Sequence, residues 1–175
     1  MLLIASALAA ASMLVGPVVP VSTDRPGDPS SSQLSREEAA AQSSRGQDTQ
    51  GPLPSLYRGV YFHADQERFR LCVGQREGRF TYTVRGGGGG NYFGTYQLSA
   101  ALARGASWMM AAESRSTHDG LRKVARALHG ILANHWNRYW QDRAFYTILN
   151  HDHRWSGWRH WQLNGSYCNT LVGAP

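Results

Sequence analysis

FRLCVGQREGRFTYTVRGGGGGNYFGTYQLS, residues 69–99, is the stretch on which the fold turns. Phe69, Cys72, Val73 and Arg76 recur at helical spacing, which predicts a helix capped near Asp65 and stopped by Gly78. Glu77 then falls in its last turn, one helical turn past Val73, and the next thirty-five positions hold no other acid. Phe80, Tyr82 and Val84 alternate, the glycine run Gly86 to Gly90 supplies a turn, and a second aromatic run follows, so a short irregular β-hairpin is expected.

Beyond Ser99 the pattern becomes helical. Ser99 caps a short segment ending at Gly105. A longer helix is predicted from Ser116 or Thr117, with Leu121, Val124, Ala125, Leu128, Ile131, Leu132, His135 and Tyr139 on one face and a bend at Gly130. A last helix is expected from Asp142 to Leu149, ahead of a tail with Trp155, Trp158 and Trp161 at three-residue spacing. The fold class that results is mainly α with one small hairpin.

Upstream, composition divides the chain. All nineteen Phe, Trp and Tyr lie at or after Tyr57. Residues 22–56 are rich in Pro, Ser, Gln and Gly and predict a disordered linker, because such a segment cannot bury enough apolar surface to offset chain entropy. Residues 1–21 carry no charge and predict a signal peptide, with a retained membrane anchor as the alternative. The folded domain is then residues 57–175, outside the cytoplasm. Cys72 and Cys168, an even pair 96 positions apart, are expected to form a disulfide in that compartment.

From Tyr57 onward, fifteen arginines and lysines face seven acids, and all but one of those cations are arginine. An anionic partner follows. Outside a cell this means peptidoglycan or another anionic wall polymer, with no role for nucleic acid and a monomeric protein. No cofactor is expected: the glycine run is followed by no Lys-Ser/Thr pair, and His151, His153 and His160 have no nearby carboxylate other than Asp152 and no thiolate to spare for a metal site.

Glu77 carries the chemistry. Unpaired carbonyls at a helix C-terminus favour the protonated form of a carboxyl placed there, the form a general acid requires. The run Cys72 to Gln97 resembles the lysozyme-like domain of actinobacterial transglycosylases and resuscitation-promoting factors, where a helix ends in a catalytic Glu and a glycine-rich stretch leads to a Tyr-Gly-x-x-Gln pattern. Arg76-Glu77-Gly78 stands for the first motif and Tyr92-Phe93-Gly94-Thr95-Tyr96-Gln97 for the second. Ala144 to Asn150 is similar to the Tyr-Asn segment that lytic transglycosylases place across the cleft. Two positions depart: Gly78 stands where Ser commonly follows the Glu, and Leu149 where Tyr precedes Asn, with Tyr146 one turn earlier as substitute.

The resemblance implies a lysozyme-like α+β fold, several helices around a cleft, and cleavage of peptidoglycan glycan strands by Glu77 alone. A two-carboxylate mechanism needs partners about 5 to 9.5 Å apart, whereas Asp65 and Glu67 lie about 15 Å or more back along the helix. Tyr92, Tyr96 and Gln97 are expected to line sugar subsites, with Tyr146 and Asn150 assisting. The alternative is a non-catalytic module of the same fold that grips wall glycan or a wall protein through its basic face.

Overall fold

The computed structural model describes residues 34–86, 89–151, 157–163 and 165–171. The segment 1–21, the first part of the expected linker, Asp152, His153 and Trp155 lie outside the described residues.

The fold is mainly helical, with a minimal sheet. Its centre is α6 (Arg138–Asn150), in which every residue from Arg138 to Leu149 is buried. A helix buried all round must satisfy its polar side chains internally. The helix starts four residues before the expected Asp142, because the Asn137 side chain accepts from Trp140 N and caps it there. Around it pack α1 (Arg36–Gln42), α2 (Ser44–Gln47), α4 (Ala100–Thr117) and a 3-10 turn at Gly157–Trp161.

Residues 34–56 are not the linker their composition predicts. Ser35 and Glu38 form a reciprocal capping box that starts α1. Buried Glu37 accepts from the Tyr139 hydroxyl at 2.7 Å and from Arg58 N at 3.2 Å. A segment poor in apolar side chains is held by polar contacts to a domain that supplies the aromatic partner.

Between Ser99 and Asn150 the helical boundaries also differ from the expected ones. Ser99 does cap a helix, but α4 runs through Gly105 to Thr117. The chain then turns at His118, in the left-handed region with φ 55°, and at Gly120, with φ 77°. The expected long helix from Thr117 is therefore replaced by short α5 (Arg122–Ala127), two 3-10 turns and α6. Asp119, 7% exposed, decides the break: its Oδ1 caps Leu121 N at 3.0 Å while its Oδ2 accepts from Arg143 at 2.9 Å.

The helix α3 (Glu67–Gly78) follows a 3-10 turn at Ala64–Gln66 and buries Phe69 and Val73. Gly78 is its last residue and does not stop it; Arg79, left-handed at φ 50°, does. The hairpin is irregular, as expected, and carries a third strand: β1 (Arg85–Gly86), β2 (Tyr92–Phe93) and β3 (Leu98–Ser99) form an antiparallel sheet in that order. Arg85 lies opposite Phe93, and Tyr92 opposite Ser99. Phe80 and Tyr82 are buried in the turn before β1 and belong to no strand.

Cys72 and Cys168 are joined, with Cα atoms 5.5 Å apart, so the chain end is fastened to α3. Trp161, 3% exposed, stacks at 4.4 Å on Phe145 of α6, and its indole N–H donates to Tyr96 O at 2.9 Å. The tail tryptophan nearest the disulfide is thus core.

Candidate active site around Glu77

Glu77 sits in the last turn of α3 with its side chain 28% exposed. Its Oε1 accepts from Arg76 Nε at 2.9 Å and lies 2.7 Å from Nη2. The same guanidinium donates to Ser166 Oγ at 2.7 Å and to Trp161 O at 2.6 Å. Arg76 therefore couples the acid to the disulfide-fastened tail.

What lies beside the acid is set by Gly78. A Cβ at that position would stand 2.6 Å from Thr95 Cα and 2.7 Å from Thr95 O. The end of α3 thus rests directly on the backbone of the Gly94–Gln97 turn, and the two halves of the sequence motif meet there. On its other side Gly94, at φ 74°, leaves room for Gln141, whose Oε1 accepts from Thr95 N at 2.8 Å. Gln141 Nε2 donates to the carbonyls of Tyr82, Ala133 and Trp136 at 2.7, 2.7 and 2.8 Å. One buried amide fixes the turn to α6.

The turn presents Gln97 in the left-handed region at φ 49°, a conformation that non-glycine residues adopt at a cost and that concentrates at functional sites. Its Nε2 donates to Gly94 O at 2.9 Å, and its Oε1 faces Gly86 of β1. Tyr92 on β2 is 43% exposed. Gln97 and Tyr92 are thus placed where a ligand can reach them.

Tyr96 and Tyr146 are not. Both are fully buried. Tyr96 is the inward neighbour of Gln97; its hydroxyl donates to Asp142 Oδ1 at 2.6 Å and accepts from Arg70 at 2.6 Å. Tyr146 donates to Glu67 Oε2 and packs edge-on against Phe62 at 5.0 Å. Neither ring can stack on a pyranose. Asn150 is half-buried, donating to Tyr61 O at 2.8 Å and to Gln66 Oε1 at 2.6 Å, so it holds the segment ahead of α3.

These tyrosines belong to a buried polar network beneath the turn. Arg70, fully buried, grips Glu67 with two nitrogens at 2.9 and 2.7 Å and reaches Asp142 at 3.2 Å. Tyr82 also donates to Asp142, at 3.0 Å. Burial pushes the Asp142 carboxyl up, against the pull of Arg70. Burial works the same way on Glu67, but the hydrogen bonds and charge of Arg70, with those of Tyr146 and Ser55 N, prevail and hold it below its ordinary range. Burial drives the phenols of Tyr82, Tyr96 and Tyr146 far upward, so all three remain donors.

Of the three acids that only tertiary folding could bring to Glu77, Glu113, Asp119 and Asp152, the last lies outside the described residues and a second network accounts for the other two. Arg143, buried, binds Glu113 Oε2 at 2.8 Å and Asp119 Oδ2 at 2.9 Å, and Tyr57 donates to Glu113 Oε1 at 2.5 Å. Both acids are consumed structurally; breaking such a buried pair typically costs about 3–5 kcal/mol. Sequence reading missed Arg70, Gln141, Asp142 and Arg143. The one signal available was the polar run Gln141-Asp142-Arg143 inside an aromatic-rich helix, where any helical face has a polar member.

Compared with protein-family models, with curated proteins and with solved structures, the chain finds no match.

Proposed function

We propose that the chain is an exported peptidoglycan glycosidase of lysozyme-like fold that works with a single carboxyl, Glu77. The observation that carries this reading is the seating of Gly78 on Thr95, which brings the end of α3, where the partly exposed Glu77 stands, onto the turn that carries Gln97. Glu77 donates its proton to the glycosidic oxygen as the bond to the anomeric carbon breaks. The resulting carboxylate then takes a proton from the oxygen nucleophile that attacks that carbon, either water or the C6 hydroxyl of muramic acid. Tyr92 supplies a stacking face and Gln97 Oε1 an acceptor for an N-acetyl N–H. The disulfide supports an oxidising compartment.

Glu77→Gln retains size and most hydrogen bonding while removing the titrating proton. It is expected to lower cleavage of purified peptidoglycan by about 10²–10⁴-fold, with unchanged melting and glycan binding, read by mass spectrometry of the released muropeptides. Turnover close to wild type sinks the reading. The mass of the products, hydrated or 1,6-anhydro, identifies the nucleophile.

A second reading, a binding module without turnover, is favoured by one contact: the Arg76 guanidinium engages Glu77 Oε1, as in a structural ion pair. Under that reading wild type and Glu77→Gln bind wall alike and neither releases products.

A further inference from the structure

The stretch from Ala100 to His135 has an unbalanced surface. Arg104, Arg115, Arg122, Lys123 and Arg126 are all exposed. Its two acids, Glu113 and Asp119, are 3% and 7% exposed and turned inward to Arg143. Glu38, which comes up against Gly120, is engaged by the Ser35 N–H at 3.0 Å. Five exposed cations thus face one neighbouring carboxylate, that of Glu38 at the Gly120 edge, and the unbalanced cations repel one another until a further anion joins them.

The cations are also shaped into a receptor. Arg115, Arg122 and Arg126 line a cleft of about 240 Å³ with Trp108, which is 57% exposed. A neighbouring cleft of about 190 Å³ shares Trp108 and Arg126 and adds Ser107 and His129. A third, of about 470 Å³, is lined by Gly120, Arg122, Lys123 and Arg126, with the Glu38 carboxylate beside its Gly120 edge. Arg126 is common to all three, so they form a run along α4 and α5. The Trp108 ring is braced edge-on against His129 at 4.9 Å.

Guanidinium forks match phosphate oxygens better than any other side chain, and successive arginines suit a chain of regularly spaced charges. An exposed indole beside them offers an apolar face for a ring or carbon chain lying between phosphates. We propose that this face of α4 and α5 docks a phosphodiester-linked glycopolymer of a cell wall, its phosphates held by Arg115, Arg122 and Arg126 and an intervening sugar or polyol lying on Trp108. The proposal shares with the preceding section a location at the wall. It requires no chemistry at Glu77, and none of the three clefts is lined by that residue.

The test is cosedimentation of the full chain with wall sacculi, either intact or stripped of phosphodiester polymer by hydrofluoric acid. Wild-type protein is expected to bind stripped sacculi at least tenfold more weakly, and to lose the difference in 1 M salt, where the screening length is about 3 Å. The triple variant R115A/R122A/R126A should bind both preparations at the weaker level, with melting unchanged because all three side chains are exposed. Trp108→Ala should weaken binding to intact sacculi several-fold. Glu77→Gln should bind as wild type whether or not Glu77 is catalytic, so loss of activity and loss of docking are read separately. Equal binding to both preparations by wild type overturns the proposal, as does undiminished binding by the triple variant. So does duplex DNA displacing the protein from sacculi as well as soluble poly(glycerol phosphate) at equal phosphate.

Discussion

At the scale of single residues, two glycines and one amide assemble the site. Gly78 and Gly94 are placed for close approach: the first admits the Thr95 backbone and the second the Gln141 side chain. No side chain larger than hydrogen fits at position 78 without displacing that backbone. Gly78→Ser puts a Cβ within 2.6 Å of a backbone atom that no rotamer change can move. The substitution is expected to destabilise the fold by about 1–3 kcal/mol, the usual cost of overpacking. If the proposed cleavage is measured, it should fall as well, because Glu77 is adjacent to the displaced residue. Thermal melting checks the first expectation; a neutral or stabilising Ser would show that α3 and the turn are less tightly seated than described.

Among elements, the tail and α3 act as one unit. The Cys72–Cys168 bond spans 96 residues, and Arg76 adds bonds to Ser166 and Trp161 on the same segment. In the chain-entropy account a loop of this length contributes about 4–5 kcal/mol, less any native strain. Reduction, or C72S/C168S, is accordingly expected to lower the melting temperature substantially and to change the near-ultraviolet signal of Trp161 as its packing on Phe145 loosens. Far-ultraviolet helix content should change little, since α4 and α6 do not depend on the bond. Unaltered melting after complete reduction would show that Arg76 and Trp161 suffice to hold the tail.

The whole molecule is organised around charges placed inside it. Arg70, Arg138 and Arg143 are all essentially unexposed, so part of the arginine excess that composition assigned to the surface is internal. All three are matched by acids, Arg70 by Glu67 and Asp142, Arg143 by Glu113 and Asp119, and Arg138 by the exposed Asp48 at 3.6 Å. The Glu67 carboxyl, held below its ordinary 4.5 against the effect of burial, contributes stability above that value which is lost as pH falls through its folded-state value. Asp142 runs the other way: raised by burial from 3.8, it favours the fold on the acid side and less so as pH rises through its folded-state value. Glu67→Gln should therefore flatten the fall in stability below about pH 4.5, measured as melting temperature against pH. An equally steep acid limb in the variant would place the sensitivity elsewhere.

Some of this was legible in the residues alone, and for a local reason. Glu77 in the last turn of α3, the Ser99 cap, the glycine turn and the cysteine pair depend on near-neighbour spacing or on counting. Gly78 against Thr95 follows a close approach between segments that sequence motifs merely set in order. What tertiary structure decided was everything that rests on distant partners. Tyr96 looks like a cleft residue until Asp142, 46 positions away, takes its hydroxyl inward. Residues 34–56 look like linker until Tyr139, 102 positions from Glu37, supplies a buried donor. The helix expected from Thr117 is unbroken in its apolar pattern and is broken in the fold, because Arg143 draws Asp119 inside. Periodicity reports which faces are apolar; it cannot report which buried charge will find its counterion, since that pairing exists only once the chain has folded.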